Sequence, residues 1–265
     1  MTGSIPPSLR FTRYVALGDS STEGLDDPDG SGGYRGWADR FAEHLARAHD
    51  GIHYANLAVR GRKTRQVLDQ QLAPALAMRP DLATVFAGTN DVVRRQVDLD
   101  QVLADLETMQ QALRTAGATV LTITLPDLSA VMPMAKRFAP RVERLNEGIR
   151  ACSLRTGTIV VDLARSPVAS DPRLWSEDRL HANALGHTRI ASALAHALGL
   201  PGHGPEWQVQ LSRARARTIA ENVAREGAWV RSYLIPWLWR RVRGRSSGDG
   251  RVAKQPELVF MRPAD

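Results

Sequence analysis

The sequence predicts an α/β protein, a three-layer α/β/α sandwich on a five-stranded parallel sheet with a C-terminal helical extension. Three observations predict it. Short apolar runs alternate with segments whose apolar residues recur every three to four positions, the alternation that packs helices on both faces of a parallel sheet. Turns rich in Gly, Asp and Asn stand directly after several of those runs. The alternation stops at Pro201-Gly202-His203-Gly204-Pro205, beyond which the pattern turns arginine-rich. We therefore divide the chain into a body, residues 1–204, and an extension, residues 205–265.

Taken in order, Tyr14-Val15-Ala16-Leu17 reads as a buried strand that ends at Gly18-Asp19-Ser20-Ser21. A Gly-rich loop from Asp29 to Gly33 precedes a helix from Trp37 to Ala48, in which Trp37, Phe41 and Leu45 share one face. A strand near Ile52 to Leu57 and a helix from Thr64 to about Ala77 follow. Next come a strand from Leu82 to Phe86, a helix from Leu99 to Thr115 and a strand from Thr119 to Thr124. A polar helix around Arg141 to Arg155, a short strand from Thr158 to Val161 and a helix from Ala184 to Leu198 complete the body. In such sheets ligands bind outside the carboxyl ends of the strands, so functional motifs should fall just after them.

Composition narrows the class. With 265 residues, 43% of them hydrophobic and 24% charged, the chain can bury a full core. Its single cysteine, Cys152, forms no intramolecular disulfide and reads as a small core hydrophobe. The first 13 residues lack the apolar run of a secretory signal, and no stretch approaches a membrane span, which leads us to expect a cytoplasmic protein. Of the net charge of +7, +6 sits in the extension, where 12 Arg or Lys face 6 Asp or Glu; the body holds 23 and 22. A charge so placed does not make the body a polyanion-binding surface.

Four motifs concentrate residues with chemical potential. Gly18-Asp19-Ser20 follows the first strand, Asn56 through Gly61 the second, and Gly88-Thr89-Asn90-Asp91 the third; Asp178-Arg179-Leu180-His181 precedes the last helix of the body. Each residue has a plainer role open to it. Ser20 and Ser21 can cap a helix, Asn90 can form an Asx-turn, and Gly61 can serve turn geometry alone. Their order and placement together resemble the SGNH, or GDSL-type, hydrolase family, over about 160 residues. That family is marked by a serine in a Gly-Asp-Ser block, a glycine, an asparagine in a Gly-x-Asn-Asp block and a late Asp-x-x-His.

The resemblance implies a flavodoxin-like SGNH hydrolase fold and an ester hydrolase, an esterase or lipase that forms an acyl-enzyme on Ser20. A serine hydroxyl becomes nucleophilic when an imidazole takes its proton, the role the resemblance gives to His181. Asp178 would hold the other ring nitrogen. An oxyanion hole would combine the backbone N–H groups of Ser20 and Gly61 with the Asn90 amide. Ser21 stands where the common motif has leucine. Asp19 and Asp91 read as structural acceptors, and His187 as a helix-surface residue, with a supporting contact behind the catalytic residues as the alternative. The remaining histidines show no metal-ligand spacing, so neither metal nor cofactor is expected.

The extension pairs an apolar stripe, Trp207 to Ala228, with an aromatic stretch, Tyr233 to Trp239, bracketed by arginines. It reads as packing on the body, with peripheral membrane contact through residues 205–265 as the alternative and nucleic-acid binding disfavoured. The expected partner is a small ester, with short acyl groups favoured because no long apolar lid is visible. The competing class is a membrane-associated or binding protein that uses the fold as a scaffold.

Overall fold

The computed structural model describes residues 10–212, 219–236, 239 and 247–263. Six strands form its sheet: β1 (Arg13–Gly18), β2 (Ile52–Asn56), β3 (Leu82–Phe86), β4 (Thr119–Ile123), β5 (Ile159–Val161) and β6 (Gln255–Met261), in the order β5-β4-β3-β1-β2-β6. The first five run parallel. Every residue of β3 is buried, as expected of a central strand covered on both faces.

The helices are α1 (Ser20–Glu23), α2 (Gly36–His49), α3 (Thr64–Ala77), α4 (Thr89–Val92), α5 (Leu99–Thr115), α6 (Ala139–Thr156), α7 (Ala184–Ala197) and α8 (Ile219–Trp229). From β1 the chain moves outward to β2 and then crosses back over β1 to β3. With right-handed crossovers, that reversal places α2 and α3 on opposite faces. The helix contacts agree: α2 packs on α7, while α3 packs on α5 and α5 on α6. The reversal lies between β1 and β3, so a ligand crevice belongs at their carboxyl ends. Ser20 and Asn90 stand there, in the short helices that follow β1 and β3.

The expected body elements appear with ends shifted by no more than two residues. Two departures concern the rest of the expectation. The sheet has six strands rather than five, and the extension is not helical throughout: β6 pairs antiparallel with β2, with an irregularity in register between Tyr54 and Asn56. Lys254 anchors this return by reaching the carboxylate of Asp39 at 2.8 Å and the carbonyl of Arg35 at 2.7 Å. Pro256 is compatible with the strand because β6 is at the sheet's edge. The arginines at 213–217 and 240–245, together with Ala214, Trp237 and Leu238, lie outside the described residues, as does the N-terminal stretch 1–9; for Ile219 and Val223 only the backbone is described.

Among the described residues, no helix is long and apolar enough to cross a membrane. Cys152 is buried, as its solitary place in the sequence suggested.

Candidate active site

The site grows from the carboxyl end of β1. Gly18 closes that strand, and a Cβ there would stand 2.2 Å from the Thr22 hydroxyl and 2.6 Å from the Phe86 carbonyl, so no larger residue fits. Gln71 of α3 holds the two peptide groups that flank the Gly18 Cα, accepting from Gly18 N at 2.8 Å and donating to Gly18 O at 2.9 Å. The next residue, Asp19, is 1% exposed and caps α1 by accepting from the Ser21 amide. Ser20 is the first residue of α1, so its N–H has no intrahelical acceptor.

His181 arrives on the loop before α7. Its Nε2 lies 2.8 Å from Ser20 Oγ, and its Nδ1 lies 2.6 Å from Asp178 Oδ2. The second oxygen of Asp178 accepts from the amides of Leu180 and His181 at 2.8 and 3.0 Å, so one carboxylate both shapes the turn and orients the ring. With Nε2 facing Ser20, the hydrogen-bond pattern puts the ring proton on Nδ1. The sequence motifs thus meet in space: hydroxyl, imidazole and carboxylate form one continuous relay.

Gly61 has φ +74°, a left-handed conformation that glycine adopts freely, so its turn requires the glycine whatever else it does. Glu23 of α1 holds the preceding residue, accepting from the Arg60 amide at 2.7 Å and from its guanidinium. The Gly61 turn is thereby fixed to the helix that carries Ser20. Asn90 Nδ2 donates to Asp19 Oδ2 and to the Arg62 carbonyl, both at 3.0 Å. Both amide protons are therefore engaged in the absence of substrate. Asp91 behaves as the sequence suggested, accepting from the Thr64 amide and hydroxyl, both at 2.9 Å.

The structure adds residues that the sequence did not single out. Asp26, at φ +66°, places a carboxylate oxygen 4.0 Å from His181 Nδ1. The hydroxyl of Ser176 lies within hydrogen-bond reach of both Asp26 and Asp178, so one proton serves two carboxylates. No spacing rule connects Asp26, Ser176 and Asp178 in the sequence. His187 also differs from expectation: it is fully buried, accepts from the Trp37 amide at Nδ1 and donates from Nε2 to the Leu25 carbonyl, both at 3.0 Å. Burial pushes its pKa down to about 4, as suits a neutral structural bridge.

Electrostatics separates the two carboxylates near the ring. Burial acts to raise Asp178, but its hydrogen bond with His181 and the imidazolium charge overcome this and hold it well below the usual carboxylate range. Asp26 moves the other way: burial raises it, and its bond to Ser176 only partly opposes that. For His181, burial alone would depress the pKa; the Asp178 hydrogen bond and charge, with the charges of Asp26 and Asp19, raise it above the ordinary 6.5 instead. Asp19 itself is pushed up to about 6 by burial. Asp26, Asp178 and His181 also form the described group with metal-ligand spacing. Yet Nδ1 carries the proton that Asp178 accepts, which leaves it without a lone pair for an ion.

A base must be neutral to accept a proton, so activity that depends on His181 falls as pH drops through its raised pKa. The acid limb of kcat/KM is thus expected above pH 6.5. Asp26→Asn removes one of the charges that raise His181, and its limb is expected at lower pH than the native one. Initial rates across a pH series read this directly; a limb left in place would show that Asp26 does not act on the ring.

A crevice of about 530 Å³ opens beside Ser20 and His181. Phe86, Val92, Leu125, Leu128, Met132 and Phe138 give it apolar walls, with Glu143, Glu147 and Arg165 also on its lining.

A doubly wound sheet with such a crevice and a Ser–His–Asp relay at its switch point defines the class of α/β hydrolytic enzymes. The chain belongs to the GDSL-like lipase/acylhydrolase family, whose sequence model matches residues 16–189, and it is an ester hydrolase. Solved structures agree on the fold. An acetylxylan esterase from Geobacillus stearothermophilus superposes with a TM-score of 0.60 at 20% identity, covering 76% of this chain and 97% of that one. The lipase/acylhydrolase from Enterococcus faecalis gives 0.58 at 21%, covering 77% and 100%. An α/β hydrolase from the metagenome of Lake Arreo, Spain, gives 0.60 at 20%, covering 71% and 95%. No curated protein matches the sequence.

Proposed function

We propose that this hydrolase cleaves carboxylic esters through an acyl-enzyme on Ser20, with His181 as general base and Asp178 as the group that orients it. The observation that carries the reading is the unbroken relay from Ser20 Oγ to His181 Nε2 at 2.8 Å and from His181 Nδ1 to Asp178 at 2.6 Å. Ser20 Oγ attacks the ester carbonyl carbon and its proton passes to Nε2. The resulting oxyanion is held by the N–H groups of Ser20 and Gly61 and by the Asn90 amide. The intermediate collapses as the C–O bond breaks, with the leaving alkoxide taking the proton from His181. Water then repeats the sequence on the acyl-enzyme, releasing the acid and restoring Ser20.

The crevice bears on the substrate. An acetyl group would leave most of 530 Å³ of largely apolar space unfilled. The apolar wall that the sequence did not disclose supports an acyl chain of medium length over the short acyl group expected from the sequence. Burying each further methylene in that space is worth about 0.8 kcal/mol, or roughly fourfold. In a series of p-nitrophenyl esters, kcat/KM is therefore expected to climb by up to about fourfold per methylene beyond acetate before levelling off. A maximum at acetate would return the reading to small acyl groups.

Peripheral membrane contact through residues 205–265 is the second reading, and exposed Ile235 and Trp239 favour it. Trp229 and Tyr233 argue for packing, because both bond to the body.

A further inference from the structure

The segment from α8 through the π-turn Val230–Leu234 lies beyond the stretch matched by the family, yet it bonds directly to the loop that carries Asp178 and His181. Three of its side chains converge on three consecutive residues of that loop. The indole N–H of Trp229 donates to the carbonyl of Asp178 at 3.1 Å. Glu226 receives both terminal nitrogens of Arg179 at 2.7 and 2.8 Å, and the Arg179 guanidinium lies 4.6 Å from the centre of the Trp229 ring. Tyr233 donates from its hydroxyl to Glu177 at 3.0 Å. Positions 226, 229 and 233 recur at helical spacing, so one face of the segment addresses the loop.

Arg179 is the pivot. It sits between Asp178 and His181, at φ +64°, a left-handed conformation costly for a side chain of its size. It is also 2% exposed, a long cation buried under the extension. Such a conformation persists only where the surroundings over-determine it. Glu226 and Trp229 supply those surroundings, and the peptide they fix is the one from which the Asp178 carboxylate reaches His181.

We propose that the extension positions the catalytic loop: Trp229 and Glu226 hold the Asp178-Arg179 peptide so that the Asp178 carboxylate stays on His181 Nδ1. The proposal rests on the roles assigned above to Ser20, His181 and Asp178. Trp229, Arg179 and Glu226 are positioning residues, since none of them touches the reacting atoms.

The experiment uses the full chain with Trp229→Phe, Glu226→Gln and Glu226→Asp, measuring kcat, KM, the pH profile of kcat/KM and the thermal midpoint. Trp229→Phe keeps a ring under Arg179 but loses the donor to Asp178; Glu226→Gln keeps the side-chain shape but removes the charge paired with the buried Arg179, so the thermal midpoint is read beside the kinetics. Displacement of a reacting group by about 1 Å costs on the order of 10² in rate. Both variants are expected to lose roughly 10- to 100-fold in kcat with KM held within about twofold. Because a carboxylate drawn off the ring no longer raises its pKa, their acid limb should also move to lower pH. Glu226→Asp, which keeps the charge, should recover much of the loss.

Native kcat with an unmoved limb in both variants would overturn the proposal. So would a loss that follows the thermal midpoint alone and leaves the pH profile in place. Ser20→Ala, run in parallel, separates the two levels: full activity there would remove the catalytic reading itself, whereas its inactivity leaves the Trp229 and Glu226 results to judge the clamp.

Discussion

Ser20→Ala is expected to lower kcat by about 10⁴-fold or more, with His181→Ala close behind and the double variant no worse than either single one. The relay explains the equality. Ser20 Oγ and His181 Nε2 share one hydrogen bond at 2.8 Å, and each is useful only through the other. Once either is removed, the second has nothing left to contribute. Substrate binding by the crevice does not pass through that bond, so KM should change far less than kcat. Neither substitution should unfold the protein, since Ser20 and His181 line the crevice and neither belongs to the apolar core. Steady-state kinetics on the preferred ester, with circular dichroism to check the fold, reads the result. Ser20→Ala turning over at the native rate, or two losses that multiply in the double variant, would mean that the pair does not act as a unit.

Much of this was readable in the sequence, for physical reasons that also explain what was not. β1 through β5 are short apolar runs bounded by turn residues, and α2 carries Trp37, Phe41 and Leu45 on one buried face; periodicity alone places such elements. The motifs were legible because the sheet delivers strand ends to one edge. β6 was missed because Leu258-Val259-Phe260-Met261 follows a proline in an arginine-rich tail, and its partner β2 lies about 200 residues away. His187 reads as exposed because a polar residue on a helix ordinarily is; its burial depends on the Trp37 amide and the Leu25 carbonyl, neither near it in sequence. Asp26 and the Trp229–Arg179 contact fall under the same rule. Their significance lies in long-range juxtaposition, for which local spacing carries no signal.

Asn90→Ala is expected to cost about 10² to 10³ in kcat, the usual loss when one oxyanion donor is removed. The geometry makes this residue more than a donor waiting for charge. Without substrate both its amide protons are engaged, with Asp19 and with the Arg62 carbonyl, so donation to the oxyanion exchanges one of these bonds while the other keeps the amide in place. The bond that remains orients the amide while charge develops on the oxyanion. The same bonds give the substitution a second signature. Asp19 is 1% exposed and its pKa is pushed up to about 6 by burial, while Asn90 is among the donors that oppose the rise. Removing Asn90 withdraws a hydrogen bond that favours the charged form of Asp19, while the bond lost at the Arg62 carbonyl costs the same at every pH. Above pH 6, where Asp19 is ionised, the variant should therefore lose on the order of 1 to 3 kcal/mol of stability. Below pH 6 Asp19 takes up its proton and the penalty should shrink. Denaturant unfolding of native protein and Asn90→Ala at pH 7.5 and pH 5 tests the sign: a penalty that grows as pH falls would show that the Asn90–Asp19 bond does not stabilise the carboxylate.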